Sequence, residues 1–166
     1  MLDIIIRPEE SADAPAIRAV IVAAFEDQPY SNHREHHVVD RLRESSALTV
    51  SLVAVLDAAV VGHIAFSPVM IGGKFCAWYG LGPLVAPIHQ RKGIGSRLVN
   101  AGLNLLEAGG ANGCVLLGEA DFYSRFGFVV RQGLSLDGFP AEYFLARPFS
   151  SDCQEGKVLY HDAFTA

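Results

Sequence analysis

Two glycines separated by one residue, directly after two basic residues, mark the part of this chain best suited to holding a charged ligand. The segment reads Pro87-Ile88-His89-Gln90-Arg91-Lys92-Gly93-Ile94-Gly95-Ser96. Gly93 and Gly95 present no side chain where backbone N–H groups must approach a ligand. If a helix opens at this point, its first N–H donors lack intrahelical partners and its positive dipole end faces the same space. Arg91 and Lys92 add charge, so the chemistry is anion binding, a diphosphate above all. A solvated glycine-rich turn is the plain alternative. The segment is neither a Walker loop nor the dinucleotide fingerprint, since Leu98 stands where the third glycine would be.

Other reactive residues are weaker signals on their own. Tyr123 sits among Phe122, Phe126 and Phe128, and from residue type alone it reads as aromatic packing. His33, His36 and His37 offer no third ligand at a workable spacing, so no metal is expected. His63 lies in a strand pattern as a core or edge residue, and His89 adjoins the glycine loop. Cys76, Cys114 and Cys153 form no C-x-x-C pair and no disulfide framework, which fits free thiols in a reducing cytosol. Cys114 falls in an apolar strand, where a covalent acyl-enzyme is conceivable.

The surrounding pattern supplies the scaffold. Leu2–Arg7 reads as a strand. A helix capped by Ser11, with Pro15 in its first turn, buries Ile17, Val20, Ile21, Ala24 and Phe25. A loop at Glu26–His33 leads to a second helix over Arg34–Ser45. Thr49–Leu56, Val60–Ile71 and Phe75–Val85 form an antiparallel meander with turns at Asp57–Ala59 and Gly72-Gly73. A long helix from Lys92 to Ala108 buries Leu98, Val99, Leu103 and Leu106. Cys114–Leu117 is a short strand apolar throughout, as in strands covered on both faces. A short helix at Asp121–Phe126 precedes strands at Phe128–Arg131, Glu142–Arg147 and Lys157–Tyr160. The order β-α-α-β-β-β-α-β-α-β-β combines a meander with one β-α-β crossover.

Composition narrows the class. The 166 residues are 51% hydrophobic and 19% charged, with a formal net charge of -5, which describes a globular domain and argues against an electrostatic nucleic-acid binder. No leader peptide or membrane-spanning run is apparent. A cytoplasmic protein of one domain, residues 1–166, is expected, with no nucleic-acid or membrane partner.

Gln90-Arg91-Lys92-Gly93-Ile94-Gly95 resembles the Q/R-x-x-G-x-G/A motif of the GNAT superfamily of N-acetyltransferases, and Phe122-Tyr123-Ser124-Arg125-Phe126-Gly127-Phe128 resembles its F/Y-Y-x-R-F-G-F signature. The two occur in the family's order, separated by a helix and a strand. The preceding strand, Leu81-Gly82-Pro83-Leu84-Val85, is similar as well, although Leu81–Pro87 is one residue shorter than the family pattern. Gly118-Glu119-Ala120-Asp121 is also less usual for the family. The resemblance implies a GNAT-like mixed α/β (α+β) fold. Its twisted sheet would be mostly antiparallel, flanked by helices, with one central parallel β-α-β unit. It implies acetyl-CoA as co-substrate, held by Gln90, Arg91, Lys92, Gly93, Ile94, Gly95 and Ser96 together with Phe122 and Arg125. The pantetheine arm would pair with backbone near Leu84 and Val85, in a gap between splayed strands. It implies Tyr123 as proton donor to the departing thiolate, direct transfer to a primary amine in a ternary complex, and no metal. A homodimer is left open.

An amine must be neutral to attack a thioester, whereas lysine-like amines have a pKa of about 10.4. A proton acceptor is therefore needed. Glu119 follows the Cys114–Leu117 strand and leads into the Tyr123 segment, which makes it the expected base, acting through water. Glu26 and Tyr30, in the loop after the first helix, are expected to meet the cationic acceptor. That side of the fold also holds Asp27, His33, Phe139 and Tyr143. The competing reading is a non-catalytic acyl-CoA-binding regulatory or sensor domain. A binding module for another phosphorylated ligand is more remote.

Overall fold

The computed structural model describes residues 3–29, 31–87, 93–151 and 154–165. Strand β1 (Ile5–Pro8) leads through a 3-10 turn into α1 (Ala14–Phe25), and α2 (Glu35–Glu44) follows. Strands β2 (Val50–Leu56), β3 (Ala59–Ile71) and β4 (Lys74–Val85) form the meander, each pair antiparallel. Helix α3 (Ile94–Ala108) crosses to β5 (Gly113–Leu117), which runs parallel to β4. A single turn, α4 (Ala120–Tyr123), precedes β6 (Leu134–Ser135), β7 (Phe144–Pro148) and β8 (Gly156–Tyr160). The sheet order is β1-β2-β3-β4-β5-β7. Strand β8 pairs with the far end of β3 and β6 pairs with β8. This is the mixed, mostly antiparallel sheet with a central parallel β-α-β unit expected from the sequence, and the two-residue pairing of β6 with β8 adds a second, peripheral parallel pair.

The hairpin turns have a local cause. Asp57 and Ala58 have φ of 51° and 65°, and Gly72 and Gly73 have φ of 61° and 81°. Paired positive φ values match the twist of the strands they join. One face of the sheet packs on α3, with Leu98, Val99 and Leu103 against Ile64, Phe66, Cys114 and Leu116. The other carries α1 and α2, whose Ile17, Val20, Ile21 and Val39 cover Val53, Ala65 and Val85.

Three readings of the sequence require correction. Ser11 does not cap α1. It opens the 3-10 turn, and the Asp13 carboxylate accepts the Glu10 N–H at 2.7 Å. Asp13 also holds Arg7 at 2.7 and 3.0 Å, which leaves the first-turn role to the stronger acceptor. Phe128–Arg131 is not a strand. Only Val129 bridges Ala146, and Val129 and Val130 are exposed. Glu142 lies in a 3-10 turn before β7 rather than in the strand itself.

Candidate active site

The sheet divides beside its parallel pair. Strands β4 and β5 pair at Trp78↔Gly113, Tyr79↔Cys114 and Gly80↔Val115, and nowhere beyond. Strand β5 continues with β7 through Leu117↔Phe144, while β4 continues with β3 through His63↔Val85. Leu81–Val85 therefore presents a backbone edge that β5 does not cover. A bulge contributes to the split. Between the pairs Ile64↔Leu84 and Phe66↔Leu81, β4 contains one more residue than β3, at Gly82-Pro83. An unpaired edge inside a sheet is a place for an extended ligand to bind as a strand would.

At the top of that edge stands the start of α3. Gly93 is its N-cap, with φ 78° in the left-handed region, and its carbonyl accepts the Arg97 N–H at 3.1 Å. Ile94 is buried, and a Cβ on Gly62 would lie 3.1 Å from the Val85 carbonyl and 3.2 Å from Ile94. The absence of a side chain at Gly62 is what lets α3 begin so close to the end of β4. Arg97 donates to the Ile4 carbonyl at 2.8 Å and fixes the helix from its outer side. Among the described residues, a Cβ on Gly95 would meet only the Phe122 ring, at 3.8 Å. The glycine loop and the aromatic segment therefore meet at Gly95 and Phe122. Of the residues read as holding the cofactor, Leu84, Val85, Gly93, Ile94, Gly95, Ser96, Phe122 and Arg125 fall around this point or the adjoining edge. The Arg125 guanidinium lies 4.9 Å from the Phe122 ring centre. Gln90, Arg91 and Lys92, like Tyr30, lie outside the described residues.

Tyr123 packs against the same hydrophobic cluster as Leu84, Cys114 and Leu116. Its ring stands edge-on to Phe122, centroids 4.8 Å apart, and to Phe128 at 6.0 Å. It lies over Gly118, where a Cβ would come within 2.5 Å of Cε2. Burial, reinforced by the nearby Cys114, pushes the Tyr123 phenol up to about 12. The group is thus a proton donor across the neutral range. Burial also pushes the Cys114 thiol far above its ordinary value. A thiol held protonated in this way is a poor nucleophile.

On the α2 side a cavity of about 510 Å³ opens onto the bulge. Leu81, Gly82 and Pro83 line it together with Glu35, Phe139 and Tyr160. The Tyr160 ring fits over Gly80, where a Cβ would come within 2.9 Å of it. Glu119 and Glu26 are exposed and do not line the cavity. Glu119 is the N-cap of α4, and its carbonyl accepts the N–H groups of Phe122 and Tyr123. The sequence pattern assigned Glu35 and Tyr160 no role at the site, whereas Phe139 was legible as an acceptor-side residue.

A polar chain, part-buried at Arg43 and Glu9 and buried at His63, braces α2 against the sheet. Arg43 donates to Glu9 at 2.8 and 3.0 Å, and Ser51 donates to Glu9. The Ser51 hydroxyl lies 2.8 Å from Nε2 of the fully buried His63. With its own proton on Glu9, Ser51 accepts from Nε2–H, leaving Nδ1 as an acceptor with no partner among the described residues. Burial holds His63 down at about 4, so it is neutral at physiological pH. Among the described residues no group of three His, Cys, Asp or Glu side chains is placed to hold a metal, and no helix is long and apolar enough to cross a membrane.

A family model described as an acetyltransferase (GNAT) domain matches residues 48–130, half of the chain. The uncharacterized N-acetyltransferase YhbS of Escherichia coli is 40% identical over 126 residues, 75% of this chain and 72% of that protein. Among solved structures, a GNAT family acetyltransferase from Brucella melitensis in complex with acetyl-CoA is 47% identical. It superposes with a TM-score of 0.88 over 99% of both chains. YhbS from Escherichia coli, in complex with CoA, is 33% identical, with a TM-score of 0.91 over 100% of this chain and 94% of that one.

Proposed function

Because the chain belongs to the GNAT family of N-acetyltransferases, we propose that it moves an acetyl group from acetyl-CoA directly to a primary amine while both are bound. The observation that carries this reading is the uncovered Leu81–Val85 edge, which ends at the Gly93–Ser96 helix start. The residues fit the co-substrate: a backbone edge for an extended amide-bearing arm, and a helix start where, among the described residues, a Cβ on Gly95 would approach only the Phe122 ring, as a pyrophosphate site requires. Acetyl-CoA in one related structure and CoA in another support the same assignment. Gln90, Arg91 and Lys92 complete the anion site in this reading, with Phe122 and Arg125 beside it.

Acetyl-CoA supplies an acyl thioester. The neutral amine forms the C–N bond as the C–S bond breaks. One proton leaves the amine and one reaches the thiolate, giving an amide and free CoA. Tyr123 delivers the proton to sulfur, and its protonated phenol suits that task. Glu119 takes the amine proton through water, a role consistent with its exposed place at the head of the Tyr123 segment. Glu26 and Tyr30 draw the cationic acceptor toward the site. Direct attack is favoured over an acyl-enzyme by the protonated, fully buried Cys114 thiol.

The test is thiol release from acetyl-CoA in the presence and absence of an amine panel. Amine-dependent release with matching N-acetyl product is expected. Tight acetyl-CoA binding with no amine-dependent release would favour the sensor reading. Glu119→Gln should depress kcat/KM most at low pH, and the loss should shrink as rising pH deprotonates the free amine. A variant profile that overlays the wild type removes Glu119 as the base.

A further inference from the structure

The cavity on the α2 side carries more information than its position. Its walls are largely apolar, formed in part by Val38, Leu81, Pro83, Leu117, Phe139 and Leu159. Three of these are exposed large hydrophobic side chains: Leu117 at 36%, Phe139 at 54% and Leu159 at 54%. Such residues lining one cavity indicate a surface that meets apolar matter. The polar groups are few. Asp137 is paired with Lys157 at 2.7 Å. Glu35 accepts from the Ser31 hydroxyl and has no Lys or Arg within ion-pair distance among the described residues. Tyr160 lines the cavity, and its buried hydroxyl has no hydrogen-bond partner among the described residues.

We infer that this cavity receives the acceptor, and that the acceptor is a primary monoamine carried on an apolar aliphatic or aromatic body. Glu35 meets the incoming ammonium at the wall, and the body lies between Phe139 and Leu159. The inference rests on the acetyl-transfer reading above. A polyamine would place its further ammonium groups against apolar walls with one unpaired carboxylate between them. A polyhydroxylated aminosugar would lose hydration that these walls do not replace. The transfer is balanced as before: the ammonium loses a proton to solvent or base, the amine nitrogen takes the acetyl group, and CoA leaves as the thiol.

The experiment compares butylamine, hexylamine, phenethylamine, spermidine and kanamycin at saturating acetyl-CoA. It reads thiol release, and separately the thermal shift each amine adds to the CoA complex. Each added methylene should raise kcat/KM about fourfold, and hexylamine and phenethylamine should exceed spermidine and kanamycin by about tenfold or more. Phe139→Ala, at a half-exposed position that the fold does not need, should flatten the chain-length dependence. Glu35→Gln should raise the amine KM about tenfold, with both variants keeping the KM for acetyl-CoA. Spermidine or kanamycin matching hexylamine, or an unchanged chain-length series in Phe139→Ala, overturns the inference and leaves the acetyl-transfer reading intact. Absence of acetyl-CoA binding in calorimetry overturns both. If acetyl-CoA binds without turnover, a larger thermal shift with hexylamine than with kanamycin supports the apolar ligand class, and the reverse order overturns it.

Discussion

On the α3 side of the gap between β4 and β5 the surface is mostly backbone, whereas on the α2 side it is mostly side chain. The first is made from the uncovered edge of β4 and the opening turn of α3, and its fitness depends on missing side chains at Gly62, Gly93 and Gly95. The second is assembled from α2, the β4 bulge, the end of β5, the segment around Phe139, β8 and the C-terminal turn. Backbone binding suits a ligand part that is constant, since any side chain would only obstruct it. Side-chain binding suits a part that differs from one relative to another. A site of the first kind leaves a compact glycine signature in the sequence, and a site of the second kind leaves none.

Obstructing the backbone half should have the largest effect. Gly95→Val introduces branches where, among the described residues, only the Phe122 ring is near, at 3.8 Å, an ordinary contact distance. CoA affinity measured by calorimetry should fall by roughly 10²-fold or more, with the melting temperature little changed. Unchanged affinity would break the assignment of this side.

The junction between the halves comes next. Tyr123→Phe keeps the ring and removes the proton, so kcat should fall by about 10²-fold with acetyl-CoA affinity retained. Gly118→Ala acts on the same ring by displacement, since its Cβ would come within 2.5 Å of Tyr123. A loss of about tenfold in kcat is expected. In the Tyr123→Phe background the Gly118 change should cost little more, because the phenol it misplaces is already gone. Additive losses would mean that Gly118 acts elsewhere.

The smallest effect at neutral pH concerns the brace beneath α2. His63 has a folded pKa of about 4 against an ordinary 6.5. The unfolded chain therefore binds a proton that the folded chain refuses, and stability falls as pH drops from about 6.5 to 4, by on the order of 3 kcal/mol. Burial lowers His36 as well and acts in the same sense. Burial alone raises the Glu9 carboxyl, but hydrogen bonds from Arg43 and Ser51 outweigh it, and the net shift is downward. Its contribution is therefore lost only as pH falls below the ordinary carboxylate range. Melting temperature followed from pH 7 to 4 should decline in the wild type and decline less steeply in His63→Gln. Parallel curves would show that the buried imidazole does not govern the acid response.

What was legible in the sequence follows the same division. The meander, α3 and β5 could be read because their apolar residues repeat at strand or helix spacing. The buried faces of α1 and α3 came out nearly as read, with Ile17, Val20, Ile21, Leu98, Val99, Leu103 and Leu106 all buried. Phe128–Arg131 misled because Val129-Val130 has strand-forming residues, yet both side chains face solvent and only one bridge forms. Pairing there was decided by which edges the rest of the sheet left free. Glu35 and Tyr160 were legible only as parts of the second helix and the last strand, because neither belongs to a site motif. Their significance lies in meeting across a cavity from positions far apart in the chain. Phe139 was legible as an acceptor-side residue only through the resemblance, with no motif of its own.

The central claim is that both halves are filled at once and meet at the Gly82-Pro83 bulge. Initial velocities measured over a grid of acetyl-CoA and amine concentrations test it most directly. Lines that intersect in double-reciprocal form, with no acetylated protein detected by mass spectrometry after incubation with acetyl-CoA alone, are the result this account predicts. Parallel lines together with an acetyl group on Cys114 would contradict it.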